Sequence, residues 1–290
     1  MSLAPLTPLK CQNLLAQHAR SCITLHPVLP DNEIVGTKLS PRSFFGGTPL
    51  LPPDFEWPCA SFTPEGTDDK LPVPLVFCLQ LDLSELVPYD AYQELPNHGI
   101  LAFFSIGDSF NFNEPEQSFV VRYFEHWDQL CEHQRPEVTG VDPQKEQLEL
   151  PHLELSVQRD WSFPIDAPSY EDENADALLA PLGLSVQVME EIWDNLEDLA
   201  AELNEQDGID VESNEFSERS QMLGYGHFIQ GNDIQDPEST LLLTLSSFFD
   251  QVHNEWVTLY GDAGALYFAL KTSDLKARNF ERVVGDMQCY

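Results

Sequence analysis

The residues in this sequence best placed to act together chemically are carboxylates, and they are concentrated in one stretch of the chain. From Asp160 to Glu218 the sequence has 18 Asp and Glu residues and no Lys or Arg. This stretch carries about half of the formal net charge of -35. Charge of one sign at this density repels nucleic acid and anionic membranes, and it attracts basic proteins or cations. The stretch therefore predicts electrostatic binding.

Two helices are predicted to position these carboxylates. Ser185 is a typical N-cap, and we expect the stronger helix to run from it to about Asn204. Apolar residues recur along this helix at three- and four-residue steps, which predicts one buried face. The remaining circumference is acidic and is predicted to face a partner; its carboxylates are Glu190, Glu191, Asp194, Glu197, Asp198 and Glu202.

A shorter helix is predicted before it, from Ser169 to about Ala180. Three carboxylates in its first turn extend the acidic surface, namely Glu171, Asp172 and Glu173. Trp193 lies among the carboxylates of the stronger helix, and aromatic residues among charges are typical interface anchors. A solvated acidic face without a partner accounts for the same run of charges.

The rest of the chain predicts strands and constrained turns. The strands are expected at 75–83, 100–106, 119–124, 240–245, 256–260 and 265–270. Paired glycines and prolines among the aromatic residues from Phe44 to Pro58 indicate a constrained turn over a core. The opening segment from Leu9 to Arg20 predicts a short helix, and residues 23–35 predict a strand interrupted by prolines.

Two regions of the sequence resemble each other. Phe45-Gly46-Gly47, Leu79-x-Leu81 and Gly99-x-Leu101-x-Phe103 are followed later by Leu223-Gly224, Leu243-x-Leu245 and Gly264-x-Leu266-x-Phe268. The pattern predicts an α+β fold with two β-rich lobes, built from a duplicated strand-turn-strand unit, and with an acidic helical insertion. The predicted divisions are an N-terminal helix and strand (1–40), the first lobe (41–160), the insertion (161–218) and the second lobe (219–290). The two lobes are expected to form one compact domain.

Several motifs, taken in order, resemble the YwqG-like family of bacterial proteins. They are Phe45-Gly46-Gly47-Thr48-Pro49, Phe55-Glu56-Trp57-Pro58, Phe77-x-x-Gln80-Leu81-Asp82-Leu83, Gly99-x-Leu101-x-Phe103 and Gly261-Asp262-Ala263-Gly264-x-Leu266. The resemblance covers residues 40–125 and 220–285. It implies an α+β fold with a duplicated β-rich unit, and it implies no established reaction. Members of such families often lie beside secreted bacterial toxins and look like immunity proteins.

The chain departs from the family pattern in its second half. Thr244-Leu245-Ser246 stands where a Gln-x-Asp is usual, and Tyr260 stands where a Trp often precedes the Gly-Asp pair. A ligand role tied to these positions is therefore not carried over to this chain.

Charge and resemblance together predict an immunity protein that neutralises a cognate antibacterial toxin with a basic catalytic domain. Type VI secretion is one route by which such a toxin, for example a nuclease, is delivered. The mechanism would be stoichiometric blockade, with the acidic helix occupying a phosphate-binding cleft. The alternative is a protein that binds a small molecule or a metal in the groove between the lobes. We predict no cofactor.

An enzyme is the least favoured class. The sequence has no Gly-x-Ser-x-Gly, P-loop or His-Glu-x-x-His motif. Cys131 and His133 bring a thiol near an imidazole in sequence, but proximity along the chain is not the geometry of a catalytic pair. The acids from Asn204 to Glu218 do not match a calcium loop, because Gly208 is out of register.

Several features point to a cytoplasmic protein. The first residues have no apolar run of signal-peptide length, and no segment approaches the length of about 18 apolar residues that spans a membrane. The six cysteines are scattered without a Cys-x-x-Cys pair, which predicts reduced thiols.

Overall fold

The computed structural model describes residues 19–62, 71–106, 118–126, 129–137, 150–163, 196–206, 219–230 and 238–290, together with Ala16 and Ile234. The helices with assigned bounds in these residues are short: α1 (Leu83–Leu86), α2 (Leu196–Gln206), α3 (Thr272–Lys276) and a 3₁₀ helix (Phe280–Arg282). Strands make up most of the regular structure. The predicted α+β class is therefore wrong, and the described part of the chain is β-rich.

Seventeen strands are present in the described ranges. They are β1 (Arg20–Val28), β2 (Thr37–Lys38), β3 (Phe44–Phe45), β4 (Leu50–Leu51), β5 (Cys59–Phe62), β6 (Leu71–Pro74), β7 (Val76–Asp82), β8 (Ile100–Ser105), β9 (Phe119–Phe124), β10 (Cys131–Glu132), β11 (Leu153–Ser162), β12 (Gln221–Met222), β13 (Ser239–Ser246), β14 (Phe248–Asp250), β15 (Glu255–Thr258), β16 (Ala265–Lys271) and β17 (Val284–Gln288). The last residues of β11 lie within the segment predicted as an acidic helical insertion.

One large antiparallel sheet organises the molecule. Its order is β17-β16-β13-β12-β1-β11-β3-β7-β8-β9, with β2 also paired to β11. The two central strands, β1 and β11, pair along nine residues, from Arg20 opposite Ser162 to Val28 opposite Glu154. The described strands of the two predicted β-rich lobes therefore belong to one continuous sheet.

The strand order reads alike outward from the centre in both directions. On one side stand β12, β13, β16 and β17, and on the other stand β3, β7, β8 and β9. A hydrogen bond recurs at the same position in both halves: Ser43 Oγ accepts from the Asp82 amide at 2.9 Å, and Ser220 Oγ accepts from the Ser246 amide at 3.1 Å. The halves thus share strand order and local geometry.

A β-bulge lies at equivalent places in the two halves. The pairing of β7 with β8 shifts between Phe77 and Leu79, and that of β13 with β16 shifts between Leu241 and Leu243. A bulge adds one residue to a strand and so resets which face the following side chains occupy. Consecutive residues such as Leu242 and Leu243 can therefore both enter the main core.

The sheet curls until its two end strands meet. A Cβ atom at Gly285 on β17 would overlap the ring of Phe119 on β9, so the strands approach as closely as a glycine allows. The ring centroid of Phe268 lies 5.4 Å from that of Phe103 and 5.2 Å from that of Phe119, both edge to face. Phe103 and Phe268 occupy equivalent positions in the two halves, so the core joins them directly.

A second aromatic cluster covers the outer face of β7 and β8. Phe77 and Phe104 pack there with the half-buried rings of Phe55 and Trp57. Both faces of β7 are therefore buried, which explains why its sequence is a nearly continuous apolar run.

Truncating Phe268 is expected to test whether the contact between the halves stabilises the fold. Because Phe268 is fully buried among rings, Phe268→Ala should lower the free energy of unfolding by about 3–5 kcal/mol. The matched control is Phe249→Ala, since Phe249 is only half-buried on the β14–β15 hairpin and should cost less than about 2 kcal/mol. Urea unfolding followed by fluorescence measures both. Equal losses would contradict a central role for Phe268.

Candidate functional site

Most of the predicted acidic surface falls outside the described residues. Glu171, Asp172, Glu173, Glu190, Glu191, Trp193 and Asp194 all lie there. The remaining carboxylates, Glu197, Asp198 and Glu202, lie within the helix α2. The side chain of Glu202 is exposed. The predicted helix ended near Asn204, whereas α2 continues to Gln206.

The described part of α2 carries acidic side chains near its C-terminal end. Glu202 and Glu205 are both exposed, and no basic residue occupies the last turn. Carboxylates are disfavoured at this end, because the last carbonyl groups of a helix give it a partial negative charge. The spacing of three residues also places the two like charges side by side. The two carboxylates therefore destabilise the C-terminal end of α2.

A buried polar network fixes α2 against the central sheet. Asn204 is 1% exposed, and its Nδ2 donates to Asp160 Oδ1 at 2.8 Å. The other carboxylate oxygen of Asp160 lies 3.0 Å from Arg219 Nη2, and both side chains are almost completely buried. The Trp161 amide also donates to Asp160 Oδ1, at 2.7 Å. Asp160 therefore connects α2, β11 and the segment leading into β12.

Burial, together with these charges, shifts the pKa values of two titratable groups on β1. Burial, reinforced by the Asp160 carboxylate, raises the pKa of the Cys22 thiol to about 12, so Cys22 remains protonated at neutral pH. Burial, reinforced by the Arg219 guanidinium, lowers the pKa of His26 to about 4. His26 is thus neutral at pH 7, and its Nε2 lies 3.1 Å from Thr24 Oγ1.

The Gln80-Leu81-Asp82 motif holds a turn in place in the first half of the sheet. Gln80 Oε1 accepts from the Leu50 amide, and its Nε2 donates to the Arg42 carbonyl, both at 2.9 Å. Asp82 Oδ2 lies 2.8 Å from Arg42 Nε. These contacts hold the chain on both sides of the turn at Gly46-Gly47, whose two residues have positive φ angles of 58° and 68°. The motif therefore stabilises the turn at Gly46-Gly47.

Cys131 and His133 do come together in space. Cys131 Sγ lies 3.4 Å from His133 Nε2, and the thiol is exposed. His133 also lines a cavity of about 140 Å³, beside Arg135 and the Gly47 turn. A catalytic pair normally has a third group that orients the imidazole, and within the described ranges His133 Nδ1 has no such hydrogen bond. The described residues also contain no cluster of three potential metal ligands.

A larger cavity, of about 610 Å³, lies between α1 with its following turn and α3. Its apolar lining includes Leu83, Leu86, Leu95 and Leu275, all buried. Its charged lining is Asp90, Glu94, Lys276 and Arg278. This volume is typical of small-molecule sites.

Two of these four charges are already paired outside the cavity lining. Both oxygens of Glu94 accept from Arg20 Nη2, at 2.8 and 2.9 Å. Arg278 Nη1 donates to Glu125 Oε1 at 2.8 Å. The remaining charges, Asp90 and Lys276, have opposite signs.

Sequence reasoning missed this cavity. Its lining comes from residues 83–97 and residues 272–278, and neither stretch contains a ligand-binding motif. The one available signal is the acidic pair Asp90 and Glu94 close to the aromatic residues Tyr89 and Tyr92, and that signal does not identify a partner. No helix among the described residues has the length and apolar character needed to cross a membrane.

Comparison with known families gives one match. Residues 43–289 match the family model described as "Domain of unknown function (DUF1963)". This is the domain that YwqG-like proteins carry, so the resemblance is confirmed at the level of the domain. No curated protein matches the chain.

The importance of the buried network can be tested on β11. Asp160→Asn should lower the free energy of unfolding by about 3–5 kcal/mol, because it leaves the Arg219 guanidinium buried without its counter-charge. The matched control is Glu154→Gln on the same strand. Its ion pair with Lys38 is exposed and should contribute less than about 1 kcal/mol. Denaturant unfolding compares them, and equal effects would contradict an anchoring role for Asp160.

His26 predicts a specific dependence of stability on pH. Since its pKa is near 4 in the fold and about 6.5 in the unfolded chain, only the unfolded chain gains the proton between these values. Stability from this group is therefore complete above pH 6.5 and falls as pH is lowered to 4, by about 3 kcal/mol. Urea unfolding at pH 7 and at pH 4.5 should show a smaller drop for His26→Gln than for the unmodified chain. An identical drop would refute the assignment.

Proposed function

The chain belongs to the DUF1963 family, and we propose that this member binds and neutralises a basic protein partner through an acidic surface that includes α2. The observation that carries the proposal is the pair of exposed carboxylates, Glu202 and Glu205, at the end of a helix that is anchored by buried Asn204. The anchoring network fixes the position of the helix, and the carboxylates lie where they do not benefit the helix itself.

The cost of this arrangement supports a binding role. Acidic side chains near a helix C-terminus are disfavoured by about 0.3–1 kcal/mol each, and a basic residue there would be favoured instead. A positively charged partner removes this penalty on binding, since it supplies the cation that the helix end lacks. The acidic face therefore gains more from a basic partner than an ordinary solvated surface does.

The net charge of the whole chain also favours association with a basic partner. The formal net charge is -35, and a field of this sign accelerates association with basic surfaces, up to about 10⁸–10⁹ M⁻¹s⁻¹ at low salt. Binding of this kind weakens as salt screens the charges. We therefore expect rapid and salt-dependent association.

The partner we propose is a cognate antibacterial toxin, as the resemblance to YwqG-like proteins implies. A toxin that cuts nucleic acid needs a basic cleft to hold phosphates. An acidic helix fits such a cleft as a phosphate mimic and excludes the substrate. Neutralisation would then be stoichiometric, inside the cytoplasm of the protected cell, and would involve no reaction.

Charge reversal on α2 tests this function and separates it from a general charge effect. Glu202→Lys combined with Glu205→Lys should weaken toxin binding at least about 100-fold, because two attractive contacts become repulsive. The same variant should keep or raise the melting temperature, since lysines suit the end of a helix. Loss of binding with unchanged or increased stability is the result that a merely solvated face would not give.

The experiment co-expresses the chain with the C-terminal domain of the secreted protein encoded beside it, and it scores survival and co-purification. The control is Glu33→Lys with Glu281→Lys, two exposed positions that change the net charge equally. The control should protect cells as the unmodified chain does. Equal loss in both variants would contradict a role for α2, and full protection by the α2 variant would place the interface elsewhere.

A further inference from the structure

The hairpin formed by β14 and β15 has one face toward the core and one face toward solvent. Phe248 and Thr258 are paired across the hairpin, and they line a small gap together with Leu25 and Leu155 of the main core. The hairpin therefore covers part of the apolar interior of the curled sheet. Successive residues of a strand point to opposite faces, so the neighbours of Phe248 and Thr258 face away from that interior.

Large apolar side chains occupy the face of the hairpin that points to solvent. Phe249 and Trp256 are directly paired, and their ring centroids lie 5.1 Å apart, edge to face. Trp256 is 43% exposed, and Leu259 is 44% exposed. The pairing shifts at Val257, which gives β15 one extra residue, so Trp256 and Leu259 share this face although they are three positions apart. An exposed tryptophan packed on a second ring is typical of an interface anchor.

Hydrogen bonds fix the turn of this hairpin. One oxygen of Asp250 accepts from the Val252 amide at 2.9 Å, and the other lies 2.6 Å from His253 Nδ1. The side chain of Asn32 donates to the same carboxylate, which ties the turn to the loop after β1. The hairpin is therefore ordered before any partner arrives, and this lowers the entropic cost of docking.

Carboxylates lie beside the exposed rings. Asp250 raises the pKa of His253 by hydrogen bonding and by its charge. The carboxylates of Asp31 and Glu255 add to this rise, which places both of them near the imidazole ring. Both are exposed, and Glu255 directly precedes Trp256 on β15. The segments 29–37 and 220–270, which supply these residues, contain no Lys or Arg. The surface thus combines apolar rings with exposed negative charge.

We propose that the solvent-facing side of the β14–β15 hairpin docks an arginine-bearing segment of a partner protein. An arginine side chain lies over Trp256, since the face of an indole attracts a cation, and the guanidinium donates to Glu255 or Asp31. Apolar residues of the same segment pack on Leu259. Arginine suits this surface better than lysine, because its planar guanidinium stacks on rings and is more weakly hydrated. The surface contains no residue of α2, so it goes beyond the function proposed above.

The test titrates fluorescein-labelled peptides with the full chain and follows their anisotropy at about 150 mM salt, where general attraction between charges is screened. The probes are Arg-Val-Arg-Val-Arg and Lys-Val-Lys-Val-Lys, which carry equal charge. The arginine peptide should bind saturably and at least about threefold more tightly than the lysine peptide. Trp256→Ala should weaken its binding at least about tenfold and remove the preference for arginine.

Three outcomes would overturn the proposal. They are the absence of saturable binding, equal affinity of the unmodified chain for the two peptides, and equal affinity of the unmodified and Trp256→Ala chains for the arginine peptide. The matched control is Val87→Ala, since Val87 is also apolar and exposed but lies at the end of α1. This control should bind the arginine peptide as the unmodified chain does.

A second pair of variants gives the answer without truncating a ring. Glu255→Gln should weaken binding of the arginine peptide at least about threefold, because it removes a carboxylate beside the stacked guanidinium. Glu202→Gln removes the same charge from α2 and should leave this binding unchanged. Equal weakening by both variants would show general attraction to a negatively charged chain, and it would refute the site on the hairpin.

Discussion

The pairing of β1 with β11 is the constraint on which the rest of the structure depends. Nine consecutive residue pairs join these strands, and each half of the sheet is built outward from one of them. The interior side chains of the two strands, such as Leu25 and Val157, enter the core that both halves share. The polar side chains near one end of the pair bind Arg219 and Asn204. The two halves of the sheet, the shared core and the attachment of α2 therefore all depend on the pair formed by β1 and β11.

Several strands could be predicted because a local sequence pattern is enough to identify them. Residues 119–124 form β9 as expected, and the expected strand at 240–245 is contained in β13. β13 is buried along almost its whole length, whereas β9 alternates between buried and half-buried residues at its start. In both segments a short, largely hydrophobic run identifies the strand. The predicted fold class was wrong for a different reason. It gave most weight to the acidic segment, and although β1 overlaps the strand predicted at 23–35, its central partner β11 is not visible in any local pattern.

The residues of β11 show why this central strand was not predicted. It contains Ser156, Gln158, Asp160 and Ser162, all buried and polar, and such residues normally indicate a surface or a loop. Their partners are remote in sequence: Asp160 binds Arg219, and the Gln158 carbonyl accepts from Thr24. The cavity could not be predicted for the same reason, because Asp90 and Lys276 come to line the same cavity only after folding. By contrast, the acidic character of α2 follows from composition alone.

The distance along the chain between β1 and β11 has a consequence for biosynthesis. Thr24 and Gln158, bonded in the finished sheet, are separated by 134 residues, and contacts of such long range form slowly because a large loop must close first. During synthesis β1 therefore remains without both of its neighbours in the sheet until β11 has been made. During that interval its apolar residues Ile23 and Leu25 are available to chaperones. The yield of folded protein is thus expected to depend on how long β1 waits for β11 during synthesis.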